Sequence, residues 1–452
     1  MKTKIFFAAA ALFGFICTAN AQEVEMPKYQ RSSLHMVLLT TDEPGLDGAE
    51  DFTAQLDEAW QGYPFPDKYN KHAVGLTQAY GGAPKGGFLE LVNKFQGGFA
   101  GMSLADAKDL LEKMKSGKAY QEDLVNAIND IISKEKVGNQ LMRKWFNIQD
   151  DGSWDASLIT ERAAYNANQA ALAEAEATSR GVQAIFDQGE DLISNTFVTF
   201  SKLGFYPSEP VAAFVKNLMM FISELTPAPA NIAISTAATA TYAATSKGYT
   251  AATTTALYRL DWNEEVKAAF YGMFTADNKI DMEKFNAYTF PMSLVGIDKA
   301  TSTTIDAAGG LGSMIGLESA GKPEDVLIKQ TICRNIDKLF VKLQKSYEVF
   351  APISQIISVN PLVADMGMKE GLRGGEAFNL LEPCYNKQTN KVEWKSVGVV
   401  KVDKKSIWDN RYALTDEAKK AQSESELKGT VLSNNKKAAV GMVVRQVVKA
   451  KK

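Results

Sequence analysis

The spacing of apolar residues changes at Ala351, and that change constrains the fold more than any other feature of the chain. Before it, Ile332, Ile336, Leu339, Phe340, Leu343, Tyr347 and Phe350 recur every three or four residues. Arg334, Lys338, Lys342 and Lys345 take the other face. This period predicts an amphipathic helix over 326–350. After Ala351, short apolar stretches at 353–359, 377–381, 394–402, 429–432 and 438–448 alternate with turns such as Gly371-Leu372-Arg373-Gly374-Gly375. Short strands of this kind, separated by turns, predict a small closed β-barrel. The expected fold class is α+β: a helix-rich α/β sandwich body with a mixed sheet over 22–350, then a small C-terminal β-barrel with a basic tail over 351–452.

The first twenty-one residues read as an address. Lys2 and Lys4 precede an apolar run over 5–17, and Ala19-Asn20-Ala21 places small residues where signal peptidase cuts. Cleavage is expected before Gln22, giving an exported chain in the periplasm or at the outer membrane. The run is short for a bilayer span, so no transmembrane helix is expected after cleavage. Cys17 follows Gly14-Phe15-Ile16, whose bulk makes a poor lipobox.

Within the body, 31–40, 195–206, 248–262 and 286–296 carry strand chemistry. Ser103 is expected to cap a helix to about residue 115, and Asn263 to start another. A long alanine-rich helix is expected over 155–188. The stretch 207–247 has an apolar helical face at Phe214, Leu218, Phe221, Ile222 and Leu225, then a charge-free Ala/Thr/Ser run after Pro227 and Pro229. It lacks a cationic face, so a buried helical excursion is expected rather than a membrane-surface helix. The glycine-rich 301–321 reads as a loop.

Several motifs fail on their chemistry. The 81–87 turn has no Gly-Lys-Ser/Thr ending, and Gly309-Gly310-Leu311-Gly312 has Ile315 where a dinucleotide fingerprint needs glycine. An EF-hand loop from Asn147 would need glutamate at Leu158, and one from Met273 would end on Lys284. Both segments are therefore expected to be plain turns. His35 and His72 are the only histidines, and His35 sits in an apolar run that favours a packed sheet residue. No cofactor, metal ligand set or catalytic residue is expected. Cys333 and Cys384 leave two alternatives open, one disulfide or two buried thiols.

Charge is uneven. Residues 391–452 hold 15 Lys/Arg against 7 Asp/Glu, while 22–390 hold 33 against 46. A basic module on an acidic body suits an anionic envelope polymer or an acidic envelope protein, with Lys436, Lys437 and Arg445 as the contact residues. A solvated tail is the plainer alternative, and nucleic acid is not an expected partner of an exported chain.

The order of elements supplies a resemblance. Arg143-Lys144-Trp145-Phe146, Ile159-Thr160-Glu161-Arg162, the stretch from Gly189 to Val198, the strand ending Tyr258-Arg259-Leu260-Asp261-Trp262 and the helix over 326–350 follow one another. This order resembles the α/β domain of the curli-secretion lipoprotein family and its relatives among penicillin-binding-protein activators and flagellar assembly proteins. The stretch from Met366 to Phe378, with Ser396-Val397-Gly398-Val399-Val400-Lys401-Val402, resembles the small barrel that ends the flagellar relatives. The chain is also similar to a family of Gram-negative envelope proteins with no assigned activity. These resemblances imply a non-enzymatic binding, assembly or scaffold role. A glycan or peptidoglycan hydrolase is the alternative, with Asp150, Asp151, Asp155 and Glu161 near Trp145 and Trp154 as its carboxylates. A membrane-inserting secretion subunit using 207–247 is the second alternative.

Overall fold

The computed structural model describes residues 32–40, 51–66, 68–76, 78–79, 88–116, 118–166, 192–303, 324–351, 353–386, 391–411, 420, 423, 428–440 and 442–448. The predicted leader over 1–21, most of the alanine-rich stretch and residues 304–321 of the glycine-rich loop lie outside the described residues. The protein is mixed α/β, with a mixed sheet and a separate antiparallel sheet.

The first sheet has the order β2-β1-β4-β5-β6, with β3 also paired to β1. Its strands are β1 (Ser32–Leu39), β2 (Tyr69–Lys71), β3 (Gln78–Ala79), β4 (Thr196–Pro207), β5 (Tyr249–Leu260) and β6 (Met292–Thr303). β1 runs parallel to β2, β3 and β4, whereas β4, β5 and β6 are antiparallel neighbours. Alternation along each strand divides the side chains between two cores. Val37, Leu39, Val198, Phe200, Tyr258 and Leu260 face one core, closed by Trp145, Phe146, Phe270, Phe285 and Phe290. Leu34, Leu38, Phe197 and Leu257 face the other, with Ile332, Ile336, Leu339 and Leu343.

The helices that build these layers start where their caps allow. Preceding β4 are α1 (Thr53–Gln61), α2 (Phe88–Lys94), α3 (Leu104–Ser116), α4 (Lys118–Lys134), α5 (Val137–Trp145) and α6 (Ser157–Asn166). Ser103 Oγ accepts the Asp106 N–H at 3.1 Å and opens α3, as expected. Next come α7 (Ser208–Glu224), α8 (Ala230–Thr245), α9 (Glu264–Tyr271), α10 (Met282–Ala287) and α11 (Glu324–Ser346). Asn263 caps α9 through the Val266 N–H at 3.0 Å. The 207–247 excursion is a helical pair, but it is not wholly buried. α7 buries Phe214, Leu218 and Ile222, whereas α8 buries Ala238 alone. Alanine, serine and threonine side chains carry too little apolar surface to force a helix inward. No helix among the described residues is long and apolar enough to cross a membrane.

β6 departs from its expected span. It starts only at Met292, because residues 286 and 287 close the helix α10, and it runs on to Thr303, held by eleven paired positions to β5 from Met292↔Leu260 to Thr303↔Thr250. Its outer edge is covered in an unusual way. The carbonyls of Ile297, Lys299 and Thr301 accept bonds from Tyr347 Oη, Lys342 Nζ and Lys338 Nζ respectively. Gly296 permits this, since a Cβ there would lie 2.3 Å from the Tyr347 ring.

The second sheet has the order β10-β9-β12-β7-β8-β11. Its strands are β7 (Ile353–Val359), β8 (Leu362–Ala364), β9 (Ala377–Asn386), β10 (Lys391–Lys401), β11 (Thr430–Val431) and β12 (Val443–Gln446). Beyond the expected strands it contains β8. Its two edges approach each other: Val402 and Leu432 form an isolated antiparallel bridge. The Asp403 N–H reaches Val431 O at 2.9 Å, and the Ser433 N–H reaches Lys401 O at 2.7 Å. Val400, Val402, Leu432, Phe378 and Val444 share one buried core, and the strands form an antiparallel sheet where the sequence predicts a closed barrel.

Candidate functional site

The three predicted contact residues do not form one patch. Lys436 and Lys437 are exposed on a turn between β11 and β12. Arg445 lies on β12 and pairs with Glu348 at 3.5 Å, in the short 3-10 turn Glu348–Phe350 that follows α11. Arg445 therefore faces the body. The turn carrying Lys436 and Lys437 lies beside β10, because Asn435 approaches the Gly398 backbone. Lys395, Lys401, Lys404 and Lys405 are also exposed on β10 or just after it. The sequence reading did not single these four out, although the basic composition of the segment was their signal.

Another ion pair joins the second sheet to the body, and further charged groups gather on both sides of it. The largely buried Lys68 ammonium pairs with Asp365 at 2.8 Å and also donates to the Asp365 carbonyl. Tyr63 Oη donates to Asp337 at 2.6 Å. Burial raises the Asp337 carboxyl above its usual range, opposed by the Tyr63 bond and by nearby Lys369, Arg334 and Arg411. Burial also lowers Arg334 to about 10. Arg411 grips Asp409 with two bonds, Nε to Oδ1 at 2.8 Å and Nη2 to Oδ2 at 2.6 Å. Buried Glu370 accepts the Gly367 N–H at 2.6 Å and Asn410 Nδ2 at 2.9 Å. Buried ion pairs of this kind add little net stability, but they fix one geometry, because breaking one leaves a charge unmatched.

The four carboxylates of the hydrolase alternative are mostly engaged in loops. Asp150 pairs with Arg143 at 2.9 Å. Asp151 is held well below the usual carboxylate range by Ser153 and Lys279. Asp155 is lowered by Ser157 and Asn147. Glu161 is exposed. The two segments that lack the calcium-loop glutamate are turns that pair with each other: the Ile280 N–H reaches Gly152 O at 2.8 Å, and Lys279 Nζ reaches Asp151 Oδ2 at 3.0 Å. Gly152 has φ +78°, and a Cβ there would strike Ile280 O.

Cys333 is a free thiol with no exposed surface, and burial pushes it up to about 12. The Cys384 side chain lies outside the described residues.

A second cluster lies inside the first sheet. Register places Asn70, Ser33 and Thr196 in one row across β2, β1 and β4, on one face. Trp145 Nε1 donates to Thr196 Oγ1 at 2.8 Å, and Arg162 Nη1 donates to Ser33 Oγ at 2.5 Å. The Arg162 guanidinium sits 4.6 Å from the centre of the Trp145 ring, and the His72 ring 5.4 Å from it. His72 Nε2 faces Leu141 O at 3.2 Å, so that nitrogen carries the proton. Burial, then the Arg162 charge, lowers His72 to about 3. Burial likewise lowers Arg162 to about 10. His35 is packed in the sheet, as its apolar run implied. Both its nitrogens face carbonyls, of His72 and Leu76, which favours a protonated ring, but burial dominates and lowers its pKa. Asn70 Nδ2 and His72 Nδ1 are buried without a partner. An unmatched buried polar atom costs about 1–3 kcal/mol. Nothing in local sequence period marks this row, because it forms only by strand register.

Compared with known protein families, characterised proteins and solved structures, the chain finds no match.

Proposed function

We propose that this is a non-enzymatic exported envelope protein with a binding or scaffold role, which holds an anionic envelope polymer or an acidic envelope protein on its C-terminal sheet. In this reading the second sheet wraps into a small barrel, its edges joined at Val402 and Leu432. The ion pairs Lys68–Asp365 and Arg445–Glu348 tie that barrel to the body, so the partner is held in a set orientation.

The observation that carries the reading is the concentration of exposed lysines around β10: Lys395, Lys401, Lys404, Lys405, Lys436 and Lys437. Asp403 is an exposed acid among them, and its carboxylate accepts the Lys405 N–H at 3.0 Å. Clustered exposed cations attract polyanions through a field that salt screens. Lys436→Glu with Lys437→Glu should abolish retention on envelope material at low salt and leave the melting temperature unchanged. Retention equal to the parent's would move the partner site to the body.

A further inference from the structure

The row beneath Trp145 and Arg162 offers more hydrogen-bonding groups than the protein satisfies. A guanidinium has five N–H donors in a planar fork. Among the described residues Arg162 makes one hydrogen bond, to Ser33 Oγ, and no ion pair. The guanidinium lies 4.6 Å from the centre of the Trp145 ring, and its other donors have no hydrogen-bond partner among the described residues. Beside Ser33, Asn70 is 6% exposed and its Nδ2 donor has no partner. Two residues further along the same strand direction, His72 is 0% exposed. Its Nε2–H points at Leu141 O, so the unpartnered Nδ1 presents a lone pair. Buried polar groups in native proteins are almost always matched, and unmatched ones call for an unseen partner.

We propose that this row binds a small oxyanion that also carries a hydroxyl group, of the class of a hydrogen phosphate, a phosphate monoester or a hydroxy acid. The anionic oxygens accept from Arg162 and Asn70 Nδ2. The hydroxyl donates to His72 Nδ1. A bare sulfate or acetate matches the donors but leaves the histidine lone pair facing a negative oxygen. Discrimination of this kind rests on one hydrogen-bond donor, and sites built to pair a hydroxyl reject analogues that lack it. The site is independent of the lysines around β10.

The test uses the full chain and four probes at fixed ionic strength: inorganic phosphate, sulfate, glycolate and acetate. Isothermal titration calorimetry should show saturable binding of phosphate at least tenfold tighter than sulfate, or of glycolate at least tenfold tighter than acetate. The stronger pair identifies the source of the oxyanion. Arg162→Gln should abolish the binding. Asn70→Asp guards against simple unfolding, since it sets a carboxylate beside Arg162: it should melt at or above the parent temperature and bind no probe. If phosphate and glycolate bind no better than sulfate and acetate, or if Asn70→Asp binds like the parent, the inference is overturned and water alone satisfies the row.

Discussion

The two sheets meet the same hazard in different ways. An edge strand exposes unpaired backbone groups that can recruit another strand. In the first sheet, β6 stays at the edge, and side chains on and just after α11 cover its outward carbonyls at Ile297, Lys299 and Thr301. In the second sheet, the edges come together, and backbone bonds between 401–403 and 431–433 replace side-chain cover. The first solution depends on one helix keeping its place. The second depends on the core in which Val402 and Leu432 bury together with Phe378, Val400 and Val444. The difference teaches that edge protection can be stored either in helix surface chemistry or in backbone bonds between two edges of one sheet.

The largest effect should come from the second solution. Leu432→Ala removes a side chain that is 3% exposed where the edges meet. It should cost about 2–5 kcal/mol, as buried leucine truncations do. Hydrogen exchange should then rise at 401–403 and 430–432 while β4 and β5 remain protected. Uniform loss across both sheets would show that the two edges are not independently stabilised.

Acid should act on the first sheet instead, because both histidines are there. His72 is lowered from 6.5 to about 3. Below pH 6.5 the unfolded chain binds a proton that the folded chain refuses, so stability is full above that pH and declines toward pH 3. The slope is about 1.4 kcal/mol per pH unit, with His35 acting in the same direction. Chemical denaturation between pH 7 and pH 4.5 measures it. His72→Phe should flatten part of the slope if the variant folds.

The smallest change in stability should come from the β6 edge itself. Lys338→Ala with Lys342→Ala removes exposed hydrogen bonds, so the melting temperature should fall by an amount corresponding to less than about 1 kcal/mol. Sedimentation velocity should nevertheless show more self-association than the parent, since the uncovered carbonyls can pair with another strand. An unchanged sedimentation profile would mean that the lysines play no protective part.

Much of the fold was legible because period and caps are local properties. The helix over 326–350 appeared as α11, and the strand chemistry of 195–206 and 248–262 as β4 and β5. Asn263 and Ser103 announced their helices through side-chain oxygens that cap backbone N–H groups. The candidate sites were less legible. The basic surplus after residue 391 was visible, but not that Arg445 turns toward Glu348 while Lys404 and Lys405 stand exposed beside β10. The row of Asn70, Ser33 and Thr196 was invisible, since β2 is three residues long and carries no readable alternation.

The sequence by itself determined several of the helices and strands, where two helices begin, and which stretch is basic, because these follow from side-chain size, capping chemistry and charge along the chain. Only the tertiary structure decided the register that aligns Asn70 with Ser33 and Thr196, the extension of β6 past Gly296, the side-chain cover on its edge and the meeting of Val402 with Leu432. Each of those depends on what another strand or helix, distant in the chain, places against it. An unpaired backbone group or a buried amide carries no mark in the sequence of the partner it will find.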